Sequence, residues 1–139
     1  MFRNLAEERH VSVAPGTLGI ACDPRHPALR TFPTEGHSNW QWLHLLLSSR
    51  AVILDEWPRD LRPIVHVIDN AERAHRLAAV FEARVGSGRL LVSSIDLIGL
   101  SDRPEARQLL SSLLHYANSD AFAPTTSIDV ASLEKAFLP

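Results

Sequence analysis

Apolar positions divide the chain into short segments of two periods. Residues 17–22 (TLGIAC) form an apolar run after Gly16 that stops at Asp23-Pro24, the pattern of a buried strand. Pro24, Pro27 and Pro33 then forbid long regular structure, leaving a loop with room for one helical turn over residues 27–29. Ser38 or Asn39 can cap a helix over residues 40–49, in which Trp40, Leu43, Leu46 and Leu47 recur at three-to-four spacing and make one face. Residues 51–54 are a candidate strand leading into Asp55-Glu56 and a turn at Trp57-Pro58.

Signals are stronger in the second half. Residues 63–68 (PIVHVI) are a β-branched run with Pro63 at its entry, where a missing N–H does least harm, and Asp69-Asn70 closes it. Residues 76–85 and 89–94 read as strands joined through Gly86-Ser87-Gly88, a hairpin signal. Alternation places Leu77, Ala79, Phe81, Ala83 and Val85 on one face of the first, while the near-continuous apolar run of the second suggests an interior strand. Asp102 is the expected cap of the longest helix, with Pro104 and Glu105 in its first turn. That helix carries the stripe Ala106, Leu109, Leu110, Leu113, Leu114 and Ala117 and ends near Asn118. Residues 122–124 are extended, and Ser127 or Asp129 can cap a last helix through Phe137.

Residues 1–15 lack sustained periodicity and read as an irregular N-terminal segment, followed by a single α/β domain over residues 16–139. Helices alternating with strands, two of them almost wholly apolar, predict helices packed on a central sheet, mostly parallel with an antiparallel hairpin at one side.

Composition adds exclusions. With 45% apolar and 22% charged residues the chain matches an ordinary soluble domain. A net charge of -2, with Lys135 the only lysine and the arginines scattered, gives no bias toward nucleic acid or anionic membrane. Cys22 is the only cysteine, so no internal disulfide is expected and the redox compartment stays open. The run 43–47 is broken by His44 and is far too short to cross a bilayer, and Arg3, Glu7, Glu8 and Arg9 interrupt any signal-peptide core. No cellular location follows.

Several residues invite chemistry. Cys22 ends a strand, as a nucleophile would, and His26 lies near it in sequence. Asp23-Pro24 follows in place of a glycine and a helix start, so a structural thiol is expected. His37 with His44, and His66 with His75, could join Asp23, Glu35, Asp55 or Asp69 around a metal, but none has a compact ligand spacing; no metal or cofactor is expected. Glu35, Asp55, Glu56, Glu82 and Asp96 could supply a glycosidase pair, yet a (β/α)8 barrel needs about 250 residues. No catalytic residue is therefore assigned. The stretch 32–42 (FPTEGHSNWQW) is the most unusual: His37, Asn39, Trp40 and Trp42 are candidate ligand-binding residues, with indoles to stack on a sugar ring. Against this, the two tryptophans lie two apart on a helix and cannot share a face, so at least one is expected to anchor the loop to the core.

Taken in order, residues 16–29 (GTLGIACDPRHPAL), 32–42, 62–69 (RPIVHVID), 81–97 (FEARVGSGRLLVSSIDL) and 103–124 (RPEARQLLSSLLHYANSDAFAP) carry a resemblance. They resemble the C-terminal domain of bacterial proteins described as family-2 glycoside hydrolases with a sugar-binding domain. The resemblance implies a domain similar to class I glutamine amidotransferases and to the β-galactosidase trimerisation domain, with a three-layer flavodoxin-like or Rossmann-like sheet. Such domains usually carry further strand and helix units before the GTLG stretch, so an N-terminally shortened sheet is expected, with an open edge that favours dimerisation by strand pairing. The implied function is a non-catalytic accessory or oligomerisation domain of a carbohydrate-active enzyme, whose acid and nucleophile lie on a separate barrel. Its partners would be other domains of that glycosidase or a second copy. A carbohydrate-binding module built on His37, Trp40 and Trp42 is the alternative; a small independent hydrolase or amidotransferase-like enzyme using Cys22, His26 or a carboxylate pair is the third reading.

Overall fold

In the computed structural model of the chain, residues 2–4 and 17–137 are described. The strands are β1 (Phe2–Asn4), β2 (Gly19–Cys22), β3 (Arg50–Ile53), β4 (Val65–Ile68), β5 (Arg76–Val85), β6 (Gly88–Ser93) and β7 (Ser127–Ile128). The helices are α1 (Trp40–Leu47), α2 (Pro104–Ala117) and α3 (Val130–Phe137), with a 3₁₀ turn at Pro27–Leu29. Local signals explain several of these. His26 Nδ1 accepts from the Ala28 N–H at the head of the 3₁₀ turn, and Asn39 Oδ1 accepts from the Gln41 N–H at the head of α1. Gly86 takes φ +58° in the two-residue turn of the β5–β6 hairpin. Asp129 Oδ1 accepts from the Ser132 N–H at the start of α3.

The expected mostly parallel, Rossmann-like sheet is wrong. Every paired strand runs antiparallel except β5 with β7. The reason lies in the connections: β3 reaches β4, β4 reaches β5 and β5 reaches β6 without an intervening helix. Parallel neighbours need a long crossover, whereas short returns give antiparallel ones. Alternation of helices and strands in the sequence carried no information about which strands become neighbours.

β5 is the hub. Ala78 pairs with Val52 of β3 and with His66 of β4, and Arg84 pairs with Arg89 of β6 and with Ser127 of β7. Its first half is thus flanked by β3 and β4, its second by β6 and β7, while β1 extends the sheet beyond β3 and β2 beyond β4. A bulge divides the halves: Val65 faces Val80 but the next residue, His66, faces Ala78, which leaves Ala79 extra. This corrects the expected single face. Leu77, Ala79 and Val80 belong to one core, with Ile20, Trp42, Leu109 and Tyr116, beneath α1 and α2. Ala78, Phe81 and Ala83 belong to a second, with Val52, Trp57 and Leu61, against which Leu133 and Ala136 of α3 pack.

Three further expectations change. Among the described residues β6 is an edge strand, and its apolar run reflects cover on both faces: Leu91 packs on the first core, Leu90 and Val92 on the second. The residue at the head of α2 is Arg103, without a side-chain cap, and Asp102 lies 3.9 Å from its guanidinium instead. Phe2–Asn4 form β1 in the same sheet, whereas the rest of the segment expected to be irregular, residues 5–15, lies outside the described residues. Among the described residues, no helix is long and apolar enough to cross a membrane.

Candidate functional site

α1 is apolar on both sides, and the fold decides which side is inside. Trp42, Leu45 and Leu46 enter the first core, while Trp40, Leu43 and Leu47 face outward. Trp42 is fully buried (0%), its ring edge-on to Phe32 at 5.3 Å and its Nε1–H donating to Thr34 Oγ1 at 2.8 Å. Trp40 is 86% exposed. The sequence pattern placed Trp40, Leu43, Leu46 and Leu47 on one face; the fold splits that set, Leu46 entering the core and the other three facing outward, while Trp42 satisfies its indole N–H inside.

The four candidate ligand-binding residues are therefore divided. Trp42 offers no face to a ligand. Asn39, His37 and Glu35 form an exposed polar cluster leading into Trp40: Asn39 Nδ2 donates to Glu35 Oε2 at 3.3 Å, and His37 Nε2 lies 3.5 Å from the same oxygen. The loop behind them is tied to β2, because the Cys22 N–H donates to the Gly36 carbonyl and Ala21 bridges to His37. Gly19, at φ +123°, allows the close approach of Ser38, whose Oγ would lie 2.5 Å from a Cβ there.

The other chemical candidates are held apart, each on a structural partner. Cys22 Sγ donates to the Glu35 carbonyl at 3.3 Å, and burial, with Asp23 beside it, pushes its thiol up. That disfavours a thiolate nucleophile. His26 is spent on the 3₁₀ turn and sits edge-on to Tyr116. Glu56 pairs with Lys135, Glu82 Oε2 accepts from the Tyr116 hydroxyl at 2.6 Å, and Asp96 Oδ1 accepts from the Gly99 N–H. His66 is shifted down by burial and by Arg76. Among the described residues, no three of His, Cys, Asp and Glu are grouped to hold a metal ion.

A family model matches residues 1–138 and is described as "Domain of unknown function (DUF8487)". The chain belongs to the DUF8487 family. No curated protein matches it.

The DUF8487 chain also joins residues that no sequence spacing linked. Asp55 Oδ1 accepts from the Arg76 N–H at 2.7 Å, and Asp55 Oδ2 lies 2.5 Å from His75 Nδ1. Buried Asp69 receives the N–H groups of Asn70 and His75 and so shapes the turn between β4 and β5, in which Ala74 takes φ +52°. The guanidinium of Arg76 donates to the carbonyls of Leu54, Trp57, Pro58 and Leu61, binding the loop after β3 to β5. Asp69-Asn70 was legible as a strand end, but Asp55 and His75, twenty residues apart, meet only through strand pairing. Elsewhere a cavity of about 70 Å³ lies among Arg30, Ser112, His115, Tyr116 and Ser119. Its serine hydroxyls serve the backbone, Ser112 Oγ donating to the Ala28 carbonyl and Ser119 Oγ to that of Tyr116, and the Tyr116 hydroxyl is held by Glu82. Small-molecule sites commonly need about 300 Å³ or more.

Proposed function

We propose that this DUF8487 domain is a non-catalytic accessory domain of a carbohydrate-active enzyme, docked on a neighbouring domain of that enzyme through the outer face of α1. The observation that carries the docking is the exposure of Trp40, Leu43 and Leu47 at i, i+3 and i+7, opposite a buried face of Trp42, Leu45 and Leu46. Three large apolar side chains on the outer face, interrupted by His44 alone, are more than an isolated surface residue and call for a cover. The link to carbohydrate enzymes rests on the resemblance of residues 16–124 to the C-terminal domain of family-2 glycoside hydrolase proteins. The absence of catalysis is supported by the structural use of Cys22, His26 and the carboxylates.

A second reading has its own observation: the Glu35–His37–Asn39 cluster leading to an exposed indole supplies the polar and stacking groups that sugars engage. Tryptophan fluorescence of the chain, compared with that of Trp40→Phe to isolate the exposed indole, separates the two. The chain is titrated with a family-2 glycoside hydrolase barrel supplied in trans, and separately with a panel of oligosaccharides. A blue shift and loss of acrylamide quenching with the barrel, abolished by Leu43→Glu, is expected. The same response to sugars alone transfers the surface to carbohydrate binding, and no response to either removes both readings.

A further inference from the structure

We infer that the edge of β6, open among the described residues, is a pairing site for a second copy of this chain, β6 against β6 about a two-fold axis. The argument is independent of the docking face on α1.

Hydrogen bonding fixes which groups of β6 face outward. The Ser94 N–H donates to the Ala79 carbonyl of β5, so by alternation Val92, Leu90 and Gly88 turn their backbone groups toward β5. On the partner strand, the Arg84 N–H points away from β6, to the Thr126 carbonyl, in agreement with this phase. Arg89, Leu91 and Ser93 therefore present their N–H and C=O groups to the open side. Among the described residues these groups have no partner.

Two other margins, β2 and β7, are guarded. β2 is closed by the Gly36–His37 segment at Ala21 and Cys22 and ends at Asp23-Pro24, and β7 is two residues long with Pro124 just before it. β6 has none of the devices that blunt an edge: no proline, no bulge with β5, and a single charge, Arg89. Its apolar residues Leu90, Leu91 and Val92 are all only half-buried while packed against the two cores.

The edge also matches itself. With the two-fold axis at Leu91, Leu91 pairs with the partner's Leu91 and Arg89 with the partner's Ser93. Each outward residue then exchanges two hydrogen bonds with its opposite number. Leu90 falls opposite the partner's Val92, extending the second core across the junction. Arg89 meets a serine instead of another arginine, so no like charges are juxtaposed. A second copy thus satisfies hydrogen bonding, apolar cover and charge in one register.

Sedimentation velocity of the full chain tests this over about 5 to 500 μM, the span in which a weak dimer titrates. The weight-average mass should rise with concentration from 15.4 kDa toward twice that value. Leu91→Lys, which sets two ammonium groups opposite each other, should remain monomeric at every concentration. Its melting curve checks that it still folds. In a Cys22→Ser background, Leu91→Cys should form an intermolecular disulfide on mild oxidation, whereas exposed Arg84→Cys should not. A constant 15.4 kDa overturns the inference, as does self-association that survives Leu91→Lys. If Leu43→Glu alone abolishes association, the contact belongs to α1 and not to β6.

Discussion

At the scale of single residues, Asp55 is an exposed carboxylate held by two neighbours, the Arg76 N–H and His75. Burial pushes it up, but the Arg76 N–H and His75 more than offset this and hold it below the ordinary carboxylate range. A folded pKa lower than the unfolded one means that the fold favours the ionised form. The stability this contributes is complete above about pH 4, the unfolded value, and is lost as pH falls through the lower folded value. Because the side chain is 40% exposed, solvent screening limits the contribution to about 1 kcal/mol or less. Thermal melts of the wild type and Asp55→Asn between pH 7 and pH 3 should show a Tm gap that is steady near neutrality and shrinks below about pH 4. A gap that widens on acidification would contradict the assignment.

At the scale of elements, α1 makes two opposite statements with two tryptophans. Trp42 fills the first core and satisfies its indole N–H on Thr34, so Trp42→Ala should cost about 3 to 5 kcal/mol in urea unfolding. Trp40 packs against nothing that its removal would unfill, and Trp40→Ala should lie within about 0.5 kcal/mol of wild type. Equal losses at the two sites would show that the helix sits in another rotation. The same element-scale logic governs β5, where the extra Ala79 sends Phe81 and Ala83 to the opposite face from Leu77. One inserted residue reverses every side chain after it, which strict alternation cannot anticipate.

At the scale of the molecule, two cores lie on the two faces of one sheet and share β5. Neither can be dismantled while β5 stays in place, so they should unfold together. Trp42 reports on the first core and Trp57, edge-on to Phe81, on the second. With Trp40→Phe as the common background, removing one or the other reporter by Trp42→Phe or Trp57→Phe gives two single-tryptophan proteins. For each, the fluorescence midpoint in urea should coincide with its own circular-dichroism midpoint. If the Trp57 signal moves well before the backbone signal, α3 and the second core form a separate, weaker unit.

Many of the points where chain segments begin, end and turn were legible in the residues alone, although the head of α2 and the strand β1 were not. The prolines at 24, 27 and 33, Asn39 ahead of α1, the Gly86 hairpin and Asp129 ahead of α3 all act within a few residues, and local chemistry is what a linear string encodes. The sequence also showed that two tryptophans two apart must part company. Tertiary structure alone decided which one went inside, because α1 is apolar on both faces and only the Phe32–Thr34 wall distinguishes them. It likewise decided the sheet's direction, the bulge at Ala79, the pairing of β6 with β5 and the meeting of Asp55 with His75. Each depends on which segments become neighbours across long stretches of chain, and hydrophobic period specifies that a face is buried without naming the surface that buries it.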